Sequence, residues 1–288
     1  MKRLTITKTP KCYVGGAFIR SESGRVVPWH DHRGEFFAHM PVCSRKDLRN
    51  AVEAAAKAGA GWARRSGYNR GQILYRLAEM LEARHAEMCA ALMLDGSSAR
   101  DAEKEVSATI DRLVHYAGWT DKFSALLSSV NPVASSHFNF TMTEPMGVVG
   151  VMAPDEAPLL GLLSLILPVI TGGNSVVALA SSQHPYPSIL LGEMLATSDL
   201  PGGVVNLLCG DRDELLPTFA THEQIRGVLA VLSPAQHQAL DRGAAESVKR
   251  VKVLPAATNR AWDQTDGQGL DEIRDFVEYK TVWHPVGV

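Results

Sequence analysis

The apolar positions between residues 144 and 183 predict the unit around which the rest of the chain is organised. A Val-rich run at 147–153 has the length and β-branched content of a strand that is buried on both faces. A longer apolar run at 159–170 predicts a core helix, which a Gly-Gly pair ends before a second strand at 174–179. A strand, a crossover helix and a strand of these lengths form a βαβ unit, which predicts a parallel sheet.

The alternation of buried strands and helices continues along the chain and indicates the fold class. Further strands are predicted at 204–208, 228–232 and 251–254, separated by helices at 185–197, 214–222 and 235–248. On the N-terminal side the pattern predicts a hairpin at 12–20, a strand at 34–40, a helix after the N-cap Ser44, and helices at about 69–94 and 99–127. Together these elements predict an α/β fold, a Rossmann-like parallel sheet with a helical N-terminal layer.

Three segments lie outside this alternation. Residues 137–143 alternate between apolar and polar positions, which indicates an exposed or edge strand. Residues 255–269 are polar and have no periodicity, so they predict a linker. A short helix at 271–279 and a terminal strand at 280–284 are predicted after it.

The composition is typical of a soluble protein with a sizeable core. Apolar residues make up 45% of the 288 residues. The formal net charge of −2 gives no reason to expect nucleic acid or an anionic membrane as a partner. The N-terminus has no apolar signal sequence and the apolar run at 157–170 is too short to span a bilayer, so we expect a cytoplasmic protein that is not membrane-bound.

Neither the cysteines nor the histidines are spaced as metal ligands. The four cysteines, Cys12, Cys43, Cys89 and Cys209, have no paired spacing and predict reduced structural thiols instead of a disulfide framework or a zinc site. The ten histidines, including the His30–His32 pair, also lack the sequence context of metal ligands. We therefore expect no metal site.

Two acidic residues stand where a ligand is expected. Ligands of open α/β sheets bind beyond the carboxyl ends of the strands, and Asp155 and Glu156 follow the first strand of the βαβ unit. At a helix start they fit the helix dipole as structural caps, but they would repel an anion such as a pyrophosphate. General acid–base work is the alternative. Since no G-x-G-x-x-G opens a helix, the common phosphate-binding loop of dinucleotide folds is absent.

The order and wording of several motifs resemble those of the aldehyde dehydrogenase superfamily. The matching phrases include YVGGAF, EPMGVVGVMAP, ITGGNSVVA and LPGGVVNLLCG, and the resemblance covers residues 12–257 and again 271–284. It implies the family's cofactor-binding domain, in degenerate form, at 1–131 and 145–257, and its oligomerisation hairpin and tail strand at 132–144 and 271–288. The chain also resembles the degenerate second half of double-length members.

The family's catalytic groups are replaced at the matching positions. Its Trp-Asn pair, whose amide helps to hold the oxyanion, is replaced by Asp155 and Glu156, which as carboxylates have no donor. Its general base is replaced by Leu254, and the linker 258–270 stands in place of the catalytic domain with the Cys nucleophile. Cys209, at the end of a predicted strand, is interpreted as structural, with a reactive thiol as the alternative.

The positions that bind the family's cofactor are replaced as well. Leu179 matches the Lys that grips the adenosine ribose. Leu232 and Ser233 match the Gly-Ser under the cofactor phosphates, and the following Pro234 removes an N–H that could face an anion. The resemblance therefore assigns no catalytic, cofactor-binding or metal residue and no cofactor, although NAD stays a candidate ligand.

These departures lead to three hypotheses. The first is a catalytically inactive aldehyde-dehydrogenase-like subunit, a pseudoenzyme that serves as structural or regulatory partner of an active aldehyde dehydrogenase. It rests on strand edges, at 138–143 or 281–283, that have no catalytic domain of this chain to pair with. The second is an NAD-binding module without turnover, and the third is an enzyme that uses Asp155 and Glu156 as acid and base.

Overall fold

The structure is a computed structural model that describes residues 8–256, 261–265 and 268–287. The N-terminal elements are β1 (Cys12–Val14), β2 (Ala17–Ile19), β3 (Val26–His30), β4 (Phe36–Pro41), α1 (Arg45–Ala63), α2 (Gly67–Ala83), α3 (His85–Leu94), α4 (Ala99–Trp119), α5 (Phe123–Leu127), β5 (Ser129–Asn131) and β6 (His137–Pro145). The remaining elements are β7 (Val148–Met152), α6 (Leu160–Thr171), β8 (Ser175–Leu179), α7 (Tyr186–Leu195), β9 (Val205–Leu208), α8 (Arg212–Thr221), β10 (Ile225–Leu232), α9 (Pro234–Ala245), β11 (Arg250–Pro255), α10 (Leu270–Arg274) and β12 (Val277–Pro285).

The central sheet has the strand order β11-β10-β7-β8-β9-β1-β2. The five strands from β11 to β9 are parallel to their neighbours, and the β1–β2 hairpin adds an antiparallel edge. Every residue of β7 and β8 is buried, as their continuous apolar sequences predict for strands covered on both faces. The predicted α/β fold with a parallel sheet is confirmed.

Two apolar clusters cover the two faces of this sheet. One cluster joins α2, α3, α4, α6, α7 and the last turn of α1, with Trp62, Leu113 and Ile166 among its fully buried members. The other joins α1, α8 and α9 to the opposite face through side chains such as Leu48 and Phe219. Helix α1 starts where it is predicted, because Ser44 and Asp47 form a capping box. Among the described residues, no helix has the length and apolar character needed to cross a bilayer.

Two helices that the sequence pattern joins are broken in the structure. The helix predicted at 69–94 divides at Arg84, whose φ of −117° and ψ of 21° leave the helical region. Its guanidinium is held by Glu87 at 2.7 Å and by Glu193 of α7 at 2.5 Å, and these contacts come from two different elements. The helix predicted at 99–127 stops at Trp119, and α5 follows as a separate short helix. The apolar period continues through both breaks, so it could not reveal them.

The prediction for the C-terminal segment is partly wrong. The helix predicted at 271–279 ends at Arg274, and β12 begins at Val277. The reason is tertiary, because β12 pairs with β6 along its whole length, from Val277 opposite Pro145 to the last strand residue. The edge position predicted for residues 137–143 is also wrong. Strand β6 lies between β12 and β5, because its residues 139–141 pair with β5. The outer edge of β12 has no partner strand among the residues that the structure describes.

The described part of the linker is docked against the domain. Trp262 is buried in the cluster that contains α4 and α6. Arg112 of α4 donates to the carbonyl oxygens of Trp262 at 2.8 Å and Gln264 at 3.1 Å, and to Ser164 Oγ at 2.8 Å. Residues 261–265 therefore pack on the side of the sheet that α4 and α6 cover. The rest of the predicted linker, at 257–260 and 266–267, lies outside the described residues.

Close packing of α2 on α4 depends on a glycine. A Cβ added to Gly71 would lie 2.6 Å from Thr120 Oγ1 and 2.8 Å from the carbonyl oxygen of Ala117. Both atoms belong to the C-terminal end of α4 and the turn after it. This contact explains a glycine in the second turn of a helix, where glycine is otherwise unfavourable.

We expect Gly71→Ala to destabilise the fold by about 1–3 kcal/mol through overpacking, although alanine favours helix by about 1 kcal/mol. Gly61 in α1 is the matched control, because a Cβ there meets nothing within 4 Å. Gly61→Ala should stabilise by about 0.5–1 kcal/mol. Urea unfolding followed by circular dichroism measures both. Stabilisation by Gly71→Ala would contradict the packing described for α2 and α4.

Candidate functional site

The crevice between β7 and β10 is where the fold itself favours a ligand. The chain runs outward from β7 through β8 to β9 and then returns to place β10 on the other side of β7. Doubly wound sheets bind ligands beyond the carboxyl ends of the strands at such a switch point. The carboxyl ends here are apolar, since Met152, Leu179 and Leu232 are each no more than 1% exposed.

The side chain of Arg212 lies across this crevice. Nη2 donates to the carbonyl oxygen of Ala153, directly after β7, at 2.8 Å. Nη1 donates to the carbonyl oxygen of Val231 in β10 at 3.5 Å, and Asp155 Oδ1 lies 3.7 Å from Nη2. The guanidinium therefore joins the two strands that flank the switch point. Arg212 is the first residue of α8, and the sequence reasoning missed it because nothing local distinguishes it from a solvated helix start.

Asp155 fixes the loop that follows β8. One oxygen, Oδ1, accepts from Ser181 Oγ at 2.6 Å, from the backbone N–H of Ser182 at 3.0 Å and from that of Gln183 at 3.4 Å. The prediction that Asp155 caps a helix start is wrong, because α6 begins only at Leu160 and the Asp155 carboxylate is bonded to the loop after β8 instead. Asp155 thus links the ends of β7 and β8.

Glu156 does not form a pair with Asp155 that could exchange a proton. Its side chain is exposed, and Trp262 Nε1 donates to Oε1 at 3.5 Å. Glu156 therefore contacts the docked linker, whereas Asp155 is bonded to the loop after β8. Asp155 and Glu156 are neighbours in sequence, but they bind different segments of the chain.

The acid at the start of α6 is Glu105. From α4, its Oε1 accepts the backbone N–H groups of Leu159 at 2.9 Å and Leu160 at 3.0 Å. Burial raises the pKa of this carboxyl, while the two N–H donors oppose that rise. The sequence reasoning missed Glu105 because it lies more than fifty residues before the helix it caps. The available hint was the absence of a Ser, Thr, Asn or Asp cap at Leu159.

A second buried acid, Asp95, faces the same loop. Its side chain is only 3% exposed, and Oδ2 lies 3.7 Å from His184 Nδ1. Burial raises the pKa of Asp95, and the interaction with Asp95 raises the pKa of His184. This pair ties the turn after α3 to the loop after β8 and lies outside the crevice that Arg212 spans.

The start of α9 is capped by its own side chains. Ser233 Oγ accepts the N–H of Gln236 at 3.3 Å, and Gln236 Oε1 accepts the N–H of Ser233 at 3.2 Å. Pro234 has no N–H to offer. Gln236 Nε2 donates to Asp213 Oδ1 at 2.7 Å, which places an acid beside this helix start. An anion at this terminus would therefore compete with the capping box and be repelled by Asp213.

Three of the four cysteines are buried and lie close together. Cys12, Cys43 and Cys209 are free and buried together, with Cys12 Sγ 3.4 Å from Cys43 Sγ and 3.3 Å from the N–H of Cys209. The hydrogen bond with Cys12 and burial both raise the pKa of Cys43. These surroundings agree with the structural interpretation of Cys209. Leu254, which the sequence resemblance matches to the family's general base, packs against the core of the sheet.

The sequence profile of the aldehyde dehydrogenase family matches residues 18–261. The chain belongs to the aldehyde dehydrogenase family. Retinal dehydrogenase 2 of Homo sapiens is 30% identical over 221 residues, which are 75% of this chain and 42% of that protein. The mitochondrial benzaldehyde dehydrogenase of Antirrhinum majus is 31% identical over 205 residues, 69% of this chain and 38% of that protein.

Solved structures of the family share the fold. An NAD⁺ complex of aldehyde dehydrogenase from Bacillus cereus matches with a TM-score of 0.82 at 25% identity and covers 86% of this chain and 51% of that chain. HpcC from Thermus thermophilus matches with a TM-score of 0.81 at 26% identity, over 85% and 48% of the two chains. This chain therefore spans about half the length of the relatives it matches.

The crevice of this aldehyde dehydrogenase family chain is a poor match for NAD. A pyrophosphate needs free backbone N–H groups at a helix start, and the capping box of α9 already uses one of them. A ribose needs a polar partner, but Leu179 at the end of β8 is buried among apolar side chains. Arg212 offers positive charge, yet its guanidinium is bonded to two strand ends and lies beside Asp155.

We expect Arg212→Met to destabilise the fold by about 2–3 kcal/mol, because it removes charged hydrogen bonds across the sheet and leaves Asp155 without its counter-charge. Exposed Arg242 on α9 is the matched control, and Arg242→Met should change stability by no more than about 0.5 kcal/mol. Chemical unfolding measures both variants. Equal stability of the two variants would show that Arg212 does not join the strands.

The pH dependence of Glu105→Gln checks the buried cap. In the folded state the pKa of Glu105 is raised above 4.5, so its contribution to stability is complete below that pH and is lost as the pH rises through the folded pKa. Glutamine accepts the same N–H groups but cannot ionise. The variant should therefore gain stability relative to the unmodified chain as the pH rises above about 4.5 in urea unfolding. A difference that does not change with pH would contradict the assignment.

Proposed function

We propose that this chain is a non-catalytic member of the aldehyde dehydrogenase family that assembles with an active aldehyde dehydrogenase as a structural or regulatory subunit. The observation that carries the proposal is the position of Arg212 across the crevice between β7 and β10. Its side chain joins the strands where a ligand of this fold would lie. The Arg212 guanidinium therefore stabilises the scaffold at the place where a ligand would need room to bind.

The chemistry of the crevice supports the absence of aldehyde oxidation. Glu156, which matches the family's Asn, presents a carboxylate where an oxyanion would need a donor, and loss of one such donor costs about 2.7–4 kcal/mol of transition-state stabilisation. Leu254 cannot take a proton. The three thiols nearest the sheet are buried, and burial disfavours the thiolate that would attack a carbonyl.

The small sheet formed by β5, β6 and β12 supports a role in assembly. Five large apolar side chains on it are between 40% and 68% exposed, namely Val130, Phe138, Met142, Tyr279 and Trp283. The strand register places Val130, Phe138 and Met142 on one face of this sheet and Tyr279 and Trp283 on the other. Exposed apolar side chains grouped on one face of a sheet mark interaction sites. The outer edge of β12 also lacks a partner strand among the described residues, and such an edge accepts strand addition from another chain.

Nucleotide binding without turnover is the second candidate function, and Arg212 is also the observation that favours it. Its Nε is buried and has no hydrogen-bond partner among the described residues, so a donor remains at the crevice. An anionic ligand would have to displace Asp155 to use the guanidinium fully. The third hypothesis, acid–base catalysis by Asp155 and Glu156, is weakened because Asp155 is bonded to the loop after β8 and Glu156 to the linker.

Calorimetric titration of the chain with NAD, NADP and ATP distinguishes the first two functions. We expect no binding heat, because the start of α9 is self-capped and the strand ends are apolar. Heat with any of these nucleotides that Arg212→Met abolishes and Arg242→Met preserves would establish the second candidate. Oxidation of an aldehyde with NAD by the isolated chain would overturn the proposal of a non-catalytic subunit.

Native mass measurement of the chain mixed with an active aldehyde dehydrogenase from the same organism tests the assembly. We expect a hetero-complex that Phe138→Lys and Met142→Lys, on the same face of the sheet, each weaken at least about tenfold, since a buried charge opposes docking of an apolar surface. Tyr75→Lys, which changes an exposed aromatic residue on α2 away from this sheet, should leave the complex intact. A stable monomer with every candidate dehydrogenase would contradict the proposal.

A further inference from the structure

Three side chains with the ligand chemistry of zinc lie together on the helical layer, away from the crevice. His85 is the first residue of α3, Cys89 follows one turn later on the same face, and Glu103 projects from α4. Cys89 Sγ lies 3.6 Å from His85 Nδ1 and 3.7 Å from Glu103 Oε2. One ligand atom from each residue lies within 4.8 Å of the other two.

These separations are close to those of a tetrahedral zinc site. Bonds of about 2.0–2.3 Å at tetrahedral angles place neighbouring ligand atoms about 3.3–3.6 Å apart. The two distances from Sγ therefore need only a small adjustment of the side chains. A set of thiolate, imidazole and carboxylate also suits zinc, whereas calcium and magnesium take oxygen ligands alone.

The helices hold the three residues in place without a metal. Met88 and Leu92 of α3 pack with Val106 and Leu113 of α4 in one buried cluster beneath them. Residues four apart on a helix share one face, so His85 and Cys89 are aligned by α3 itself. The core thus fixes the two helix backbones, and only side-chain rotation is needed to bind an ion.

We propose that His85, Cys89 and Glu103 form a zinc-binding site that joins α3 to α4, with a water molecule in the fourth position. The Cys89 thiol gives its proton to solvent as the sulfur–zinc bond forms, and no electron is transferred. Glu103 is exposed, so the fourth position is open to solvent. This site is separate from the crevice and does not depend on the proposed function.

Ser107 is placed to orient the imidazole. Zinc on Nδ1 of His85 leaves the proton on Nε2, which lies 3.5 Å from Ser107 Oγ and 3.5 Å from the second carboxylate oxygen of Glu103, Oε1. A metal-bound histidine commonly donates its second N–H to a nearby oxygen, which fixes the ring. Ser107 is therefore a positioning residue of the site.

The state of Cys89 makes zinc affinity dependent on pH. Burial, followed by the charge of Glu103, raises the pKa of this thiol in the metal-free chain. Zinc must displace the thiol proton, so its binding releases a proton and weakens as the pH falls. Since Cys12, Cys43 and Cys209 are buried, Cys89 is also the cysteine most open to reagents.

Titration of the full chain with Zn²⁺ after treatment with a chelator tests the proposal. We expect one equivalent to bind, and Cys89→Ser and His85→Asn each to weaken binding by more than about 100-fold, above the range of about 10–100-fold for an outer-shell partner. Ser107→Ala should weaken it by about tenfold. His32→Asn and Glu82→Gln, which change exposed residues elsewhere, should leave the affinity unchanged.

Two measurements on the unmodified chain keep the test independent of how the variants fold. Co²⁺ in place of zinc should give a thiolate-to-metal charge-transfer absorption, and Zn²⁺ should slow alkylation of Cys89 by iodoacetamide. Absence of both effects, or zinc affinity that is the same in Cys89→Ser, would overturn the proposal. A fall in affinity of the His32→Asn variant to the same extent would place the ion elsewhere and would also overturn it.

Discussion

Burial of the parallel sheet between two apolar layers is the constraint on which the structure depends. Strands β7 and β8 have no exposed residue, so their side chains must pack against α6 and the helical layer on one face and against α1, α8 and α9 on the other. Parallel strands also require crossover helices, which brings the carboxyl ends of the strands to one edge. Everything at the candidate site follows from what the chain places along that edge.

In this chain, polar groups along the carboxyl edge of the sheet form hydrogen bonds with one another. Arg212 spans β7 and β10, Asp155 connects the ends of β7 and β8, and the α9 terminus is capped by Ser233 and Gln236. Each interaction uses a polar group that could otherwise contact a ligand. A site that binds and transforms a substrate must keep some polar groups unpaired until the substrate arrives, which costs stability. Here such groups mostly serve the fold, and this supports a role in assembly for a chain of the aldehyde dehydrogenase family.

The outer surface, in contrast to the crevice, exposes side chains that can bind a partner or an ion. The sheet of β5, β6 and β12 exposes large apolar side chains and leaves the outer edge of β12 without a partner strand in the part of the chain that the structure describes. The cluster of His85, Cys89 and Glu103 presents metal-binding groups on the helical layer. The groups that remain open to a partner or an ion therefore lie mainly on the outer surface.

The sequence by itself determined the elements whose period and burial are local. Runs of neighbouring residues predict the five parallel strands, β7 to β11, and the start of α1 at Ser44. They also show that the common phosphate-binding motif is absent. The tertiary structure alone decided the roles of Arg212 and Glu105, since their partners are backbone groups brought close by folding from distant segments. It also turned residues 277–279 from a predicted helix into strand, because pairing with β6 outweighs local preference. Pattern predicts what a residue does with its neighbours in sequence, whereas contacts over long separations depend on the packing of the whole chain.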